Sequence, residues 1–154
     1  MGTAWQAHSG FVKVWKEIEP NLVTSIQDQE IKQIIIVGYS HGAAVAALAH
    51  EYVWFNRPDL RATLETYAFG APRVFWGWKI PDNLKERWAT YNVIRNGRDA
   101  VTYLPPAVFG YHHVGNMIHI NKDRKILVDK PFLLKCANEH WHPNIVAALE
   151  NEDK

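Results

Sequence analysis

From residue 10 onward apolar side chains recur at helical intervals, with Phe11, Val14, Trp15, Ile18 and Leu22 on one face of GFVKVWKEIEPNLVTSI. The spacing predicts a helix over about residues 10–27, with Pro20 as a candidate break because proline cannot donate to the preceding turn. IKQIIIVGY then replaces that period with a run of branched apolar residues free of turn formers. Such a run suits a central strand buried on both faces. Residues 42–56 return to helical spacing through Val45, Leu48, Ala49, Tyr52 and Val53, and the pattern stops before Asn56-Arg57-Pro58. The alanine content of this second helix predicts close packing on a sheet.

LETYAFGAPRV reads as a strand ending at Gly70, since Pro72 cannot continue a ladder. A further strand is expected through Tyr91–Arg95, followed by a turn at Asn96-Gly97 and a loop. Short strands near 117–120 and 126–128, joined by NKDRK, form a candidate hairpin. HPNIVAALENEDK suggests a final helix from about Pro143, with Ile145, Val146 and Leu149 inward. This alternation of strand and helix predicts one α/β domain over residues 1–154, with a mostly parallel sheet flanked by helices. In such sheets ligands bind beyond the carboxyl ends of the strands, where Ser40, Gly70 and Asp99 all fall.

Composition narrows the partners. At 154 residues the chain suffices for one core, and 47% apolar with 21% charged residues is a globular balance. A net charge of +1, without a long basic run, argues against nucleic acid as a partner. The single cysteine, Cys136, excludes an internal disulfide and favours a reducing, cytoplasmic compartment. No transmembrane segment is expected, because no apolar run reaches the ~18 residues a span requires, and MGTAWQAHSGF lacks the pattern of a secretion signal.

Gly38-Tyr39-Ser40-His41-Gly42 has the form G-x-S-x-G, preceded by a predicted strand and followed by a predicted helix. Both glycines are expected to relieve collisions as the strand turns sharply, lifting the Ser40 hydroxyl to the top of the sheet. The His41 backbone N–H and the positive end of the helix would then face a developing oxyanion. A serine hydroxyl needs a base, and the base needs an acid to orient it. Asp99 in RNGRDAVTYLPP follows a strand and is the candidate acid, whereas Asp59, Asp82 and Asp123 fall in segments that read as exposed. His140 and His142 in ANEHWHPNIVAAL come after both, in the chain order serine, aspartate, histidine. Spacing alone does not separate these two, and His112 and His113 are further possible bases. Without a spaced cysteine or carboxylate set these histidines make no zinc site, so neither a metal nor a cofactor is expected.

Four stretches in order, AHSGF, VGYSHGAAVAALA, YAFGAPRV and VIRNGRDAVTYLPPAVFGYHHVG, resemble the fungal-type (class 3) lipase family of α/β-hydrolases. The resemblance covers nearly all of residues 7–150. It implies an α/β-hydrolase fold and a serine hydrolase cleaving carboxylic esters of lipids or acylglycerols. The triad it implies is Ser40, Asp99 and His140, with the histidine chosen by its interval from AAL at 147–149 and with His142 as the alternative base. Loop 105–115 is implied to overhang the site, and Trp54, Phe55, Phe75, the WGW at 76–78, Phe109 and Tyr111 are candidates for an acyl pocket or for ordinary core.

The family carries a further segment before the motif matched by AHSGF, with early strands and a turn that supplies a second oxyanion donor. Here six residues precede it, and Gly2-Thr3 only echoes that turn. Loss of one oxyanion donor costs ~3 kcal/mol in a serine hydrolase. An uncovered sheet edge would in addition invite pairing with a second copy as a homodimer. The competing reading is a non-catalytic α/β-hydrolase-like binding or structural module.

Overall fold

The structure, a computed structural model, describes residues 6–77, 86–120 and 126–128. Its elements in chain order are β1 (Gln6–Ala7), α1 (Ser9–Ser25), β2 (Ile34–Tyr39), α2 (His41–Asn56), β3 (Leu64–Phe69), β4 (Phe75–Trp76), β5 (Tyr91–Asn96), β6 (Tyr111–His112), β7 (Asn116–Ile120) and β8 (Ile126–Val128). Five strands form one sheet in the order β2-β3-β5-β7-β8, parallel except for the last pair. β1, β4 and β6 make a small antiparallel sheet. The predicted final helix, Cys136, His140 and His142 lie outside the described residues, as do Asp82 and Asp123.

Helix α1 begins where the His8 side chain accepts a hydrogen bond from the Gly10 N–H, at 3.2 Å. It runs unbroken through Pro20. The N–H that proline lacks would have bonded the carbonyl of Lys16, an exposed residue, so water can replace that bond, while Trp15 and Ile26 are buried on either side. Ile18, expected on the inner face, is instead 42% exposed.

Helix α2 packs on β2 and β3, and its alanines permit the close approach that the sequence predicts. Ala43, Ala44, Ala46 and Ala47 are all buried. On β3, Leu64, Thr66 and Ala68 are fully buried while Glu65, Tyr67 and Phe69, on the other face, are partly exposed. The core then continues through Val74, Phe75, Trp88, Tyr91, Val93 and Val114.

Strand β2 corrects one expectation. Among the described residues it is the outermost strand of its sheet, not a central one. Ile34 and Ile36 pack towards Ile26, Val53 and Leu64, whereas Ile35 and Val37 are 55% and 66% exposed. Alternating burial leaves no periodic signal when every side chain in the run is apolar.

His50 supplies a polar tie within this core. Its Nδ1 lies 2.8 Å from the Thr66 hydroxyl and its Nε2 2.7 Å from the Arg87 carbonyl. Because a carbonyl only accepts, Nε2 carries the proton and the Thr66 hydroxyl donates to Nδ1. Burial lowers the pKa of His50, so the neutral form that makes both bonds is favoured.

Candidate active site

The elbow is built by two unlike features. Ser40 sits at φ 53° and ψ −119°, a backbone conformation that costs a non-glycine residue of order 1–3 kcal/mol and persists only where surroundings enforce it. They do so through the Ser40 N–H, which donates to the Phe69 carbonyl at 2.9 Å, and through the Ser40 carbonyl, which accepts from Ala43 N–H at 3.0 Å. The chain is therefore tied to β3 on one side and to the first turn of α2 on the other. Gly38 permits the approach of α2, because a Cβ there would lie 2.5 Å from the Gly42 carbonyl oxygen and 2.7 Å from Ala43 Cα. Gly42 differs from expectation: a Cβ added to it meets nothing within 4 Å.

His41 opens α2, so its N–H belongs to the first turn, whose amides have no acceptor within the helix. Its side chain is exposed and meets the Phe11 ring edge-on, with centroids 5.3 Å apart. Phe11 in turn lies 5.0 Å from the His8 ring, and His8 lies 5.8 Å from Tyr111. This row of rings joins the turn that carries Ser40 to the loop after Asp99. It brings AHSGF against the elbow, a link invisible to any local pattern.

Asp99 follows β5 and is fully buried. Its Oδ1 accepts from Val101 N–H at 2.9 Å, and its carbonyl accepts from the Thr102 hydroxyl at 2.7 Å. Only β3 separates β2 from β5, so the ends that carry Ser40 and Asp99 stand roughly 10 Å apart across two strand spacings. Thus Ser40, His41 and Asp99 come together at the carboxyl edge of the parallel strands. Asp59 is exposed and bound to Arg57 at 2.7 Å.

The candidate bases and aromatics sort clearly. His113 Nε2 lies 2.7 Å from the Thr102 carbonyl, to which it donates. Burial, reinforced by the charges of Arg73, Arg95 and His112, holds the pKa of His113 down at about 4. His113, one of the two further possible bases, thus serves as a donor to the backbone. Phe75 belongs to the core, and Trp54 and Phe55 lie at the far end of α2, roughly 20 Å along the helix from Ser40. Leu104, Val108 and Phe109 are exposed on the loop beyond Asp99, whose backbone is held by Arg73 Nη1 on the Pro105 carbonyl and by Trp76 Nε1 on the Phe109 carbonyl, at 3.0 and 2.7 Å.

A mostly parallel sheet with a serine held at positive φ between strand and helix places the chain among the α/β-hydrolases, and comparisons with known proteins agree. It belongs to the class 3 lipase family, whose sequence profile matches residues 2–109. A secreted mono- and diacylglycerol lipase of Fusarium solani is 32% identical over 110 residues, covering 69% of this chain and 32% of that protein. A lipase of Rhizomucor miehei is 31% identical over 120 residues, covering 71% and 31%. Among solved structures, the Rhizomucor miehei lipase propeptide complex superposes with a TM-score of 0.70 at 28% identity, over 89% of this chain and 47% of that one. A triacylglycerol lipase described as having a serine protease triad at its catalytic centre superposes at 0.69, also with 28% identity, over 82% and 49%. The chain spans about a third of the length of these two sequence relatives. Among the described residues no helix is long and apolar enough to cross a membrane.

Proposed function

We propose that this chain carries the acyl-transfer centre of a serine hydrolase acting on carboxylic esters of lipids or acylglycerols. The observation that carries the reading is the forced φ of Ser40 at the start of α2, one strand away from a buried Asp99. In the proposed reaction the Ser40 hydroxyl attacks the ester carbonyl and His140 accepts its proton, while Asp99 holds the imidazole in the productive tautomer. The His41 N–H and the positive end of α2 receive the oxyanion. His140 then returns the proton to the departing alcohol, leaving an acyl-enzyme. Water, deprotonated by the same imidazole, releases the acid and restores Ser40.

Support for a lipid ester comes from the exposed apolar side chains of Leu104, Val108 and Phe109, on the loop that follows Asp99 and whose backbone is pinned. The names of the relatives point the same way. Nitrophenyl esters of short and long acyl chains, offered to the wild-type chain with mono- and diacylglycerols in parallel, test the reading. Hydrolysis is expected to be faster for acyl chains long enough to cover the apolar loop than for acetate. Background rates with every ester, in a folded sample, would reject the enzyme and leave the binding-module reading.

A further inference from the structure

The turn that carries Asp99 is suspended between two supports. At one end Asp99 accepts from Val101 N–H and from the Thr102 hydroxyl. At the other, the carbonyl of Thr102 accepts from His113 Nε2–H. Thr102 is thus held from both sides, its hydroxyl by the aspartate's own backbone and its carbonyl by an imidazole eleven residues on.

That imidazole is itself firmly placed. Val114, the next residue, is buried in the core, and Gly115 lies so close to β5 that an added Cβ would stand 2.2 Å from the Tyr91 carbonyl oxygen. The backbone around His113 is therefore referenced to β5, the strand from which Asp99 departs. Arg73 adds bonds to the carbonyls of Tyr103 and Pro105, downstream of Thr102. The buried carboxylate is tied to this turn through the bond from Val101 N–H to Oδ1, so a shift of the turn shifts its aim.

We infer that His113 is a positioning residue for Asp99: through the Thr102 carbonyl it fixes the turn of residues 99–103 and hence the direction of the carboxylate. The inference rests on the proposed role of Asp99 as orienter of the catalytic imidazole. His113 acts through the Thr102 carbonyl, to which its Nε2–H donates, and is assigned no contact with the reacting atoms.

His113→Gln and His113→Asn separate this role from general stability. The glutamine amide occupies nearly the place of Nε2 and reaches the Thr102 carbonyl, whereas the asparagine amide falls short. For each protein, reactive Ser40 is counted with a fluorescent phosphonate, and kcat and KM for a short acyl ester are expressed per reactive site. The pH profile of kcat/KM and hydrogen exchange at the Val101 amide are then recorded. H113N is expected to lose roughly ten- to a hundredfold in kcat per site with KM within about twofold, as a small misplacement of a catalytic group does. Its acid limb should move to lower pH, because an imidazolium whose carboxylate has turned away is less favoured, and the Val101 amide should exchange faster. H113Q should recover most of all three. A folded H113N with wild-type kcat per site, acid limb and Val101 exchange would overturn the inference, as would an H113Q no better than H113N. A wild-type chain that does not react with the phosphonate would instead overturn the hydrolase reading beneath it.

Discussion

Asp99→Asn is expected to lower kcat for ester hydrolysis by about 10⁴-fold while leaving the fold intact, the magnitude seen when a triad aspartate loses its charge. The hydrogen bonds explain why so conservative a change should be severe. Asp99 Oδ1 already accepts from Val101 N–H. Asparagine has one side-chain acceptor, and the Val101 amide will claim it, so the NH2 group is left to face the imidazole. A donor in that place stabilises the tautomer that carries its proton on the wrong nitrogen, and Ser40 loses its base. Single-turnover and steady-state kinetics on the variant, with thermal melting as a control for folding, measure this. A loss smaller than tenfold would remove Asp99 from the orienting role.

Gly38→Ala should damage the elbow itself. Two of the atoms that the new methyl group would strike, the Gly42 carbonyl oxygen and Ala43 Cα, are backbone, at 2.5 and 2.7 Å, and the third is Ala46 Cβ at 2.8 Å. None lies at the end of a flexible side chain, so α2 must move away from β2. Such overpacking costs typically about 1–3 kcal/mol, and a displacement of the nucleophile by about 1 Å costs a further hundredfold in rate. Gly42→Ala is the internal comparison. It adds a methyl group where nothing lies within 4 Å, in a helix where alanine is favoured over glycine by about 1 kcal/mol. Urea midpoints are expected to fall for G38A and to hold or rise for G42A. Equal midpoints for the two variants would contradict the packing described here.

The difference between these glycines shows where sequence reading stops. The G-x-S-x-G pattern treats them alike, but the approach of the Gly42 carbonyl, Ala43 and Ala46 leaves room for a Cβ only at Gly42 and not at Gly38. β3 and β5 were legible because turn formers, Gly70 and Gly97, end runs of strand-forming residues. The exposure of Ile35 and Val37 was not, since an apolar run looks the same whether one face or two are covered. The two-residue strands β1, β4 and β6 are too short to show a period at all. Asp99 was singled out by its position after a strand, whereas its complete burial appears only in the fold. His113 was legible only as a possible base; its bond to Thr102 depends on a chain reversal that no local pattern records. His140 stands on chain order and family resemblance, outside the described residues.

Whether Ser40 is an activated nucleophile is decided by covalent labelling. The folded wild-type chain and Ser40→Ala are incubated with an alkyl phosphonate ester that mimics the tetrahedral intermediate, and the adduct is located by peptide mass spectrometry. One phosphonyl group per wild-type chain is expected, on Ser40, formed in step with the loss of ester hydrolysis and absent from Ser40→Ala. A folded wild-type chain whose Ser40 stays unmodified would contradict the proposed role of Ser40.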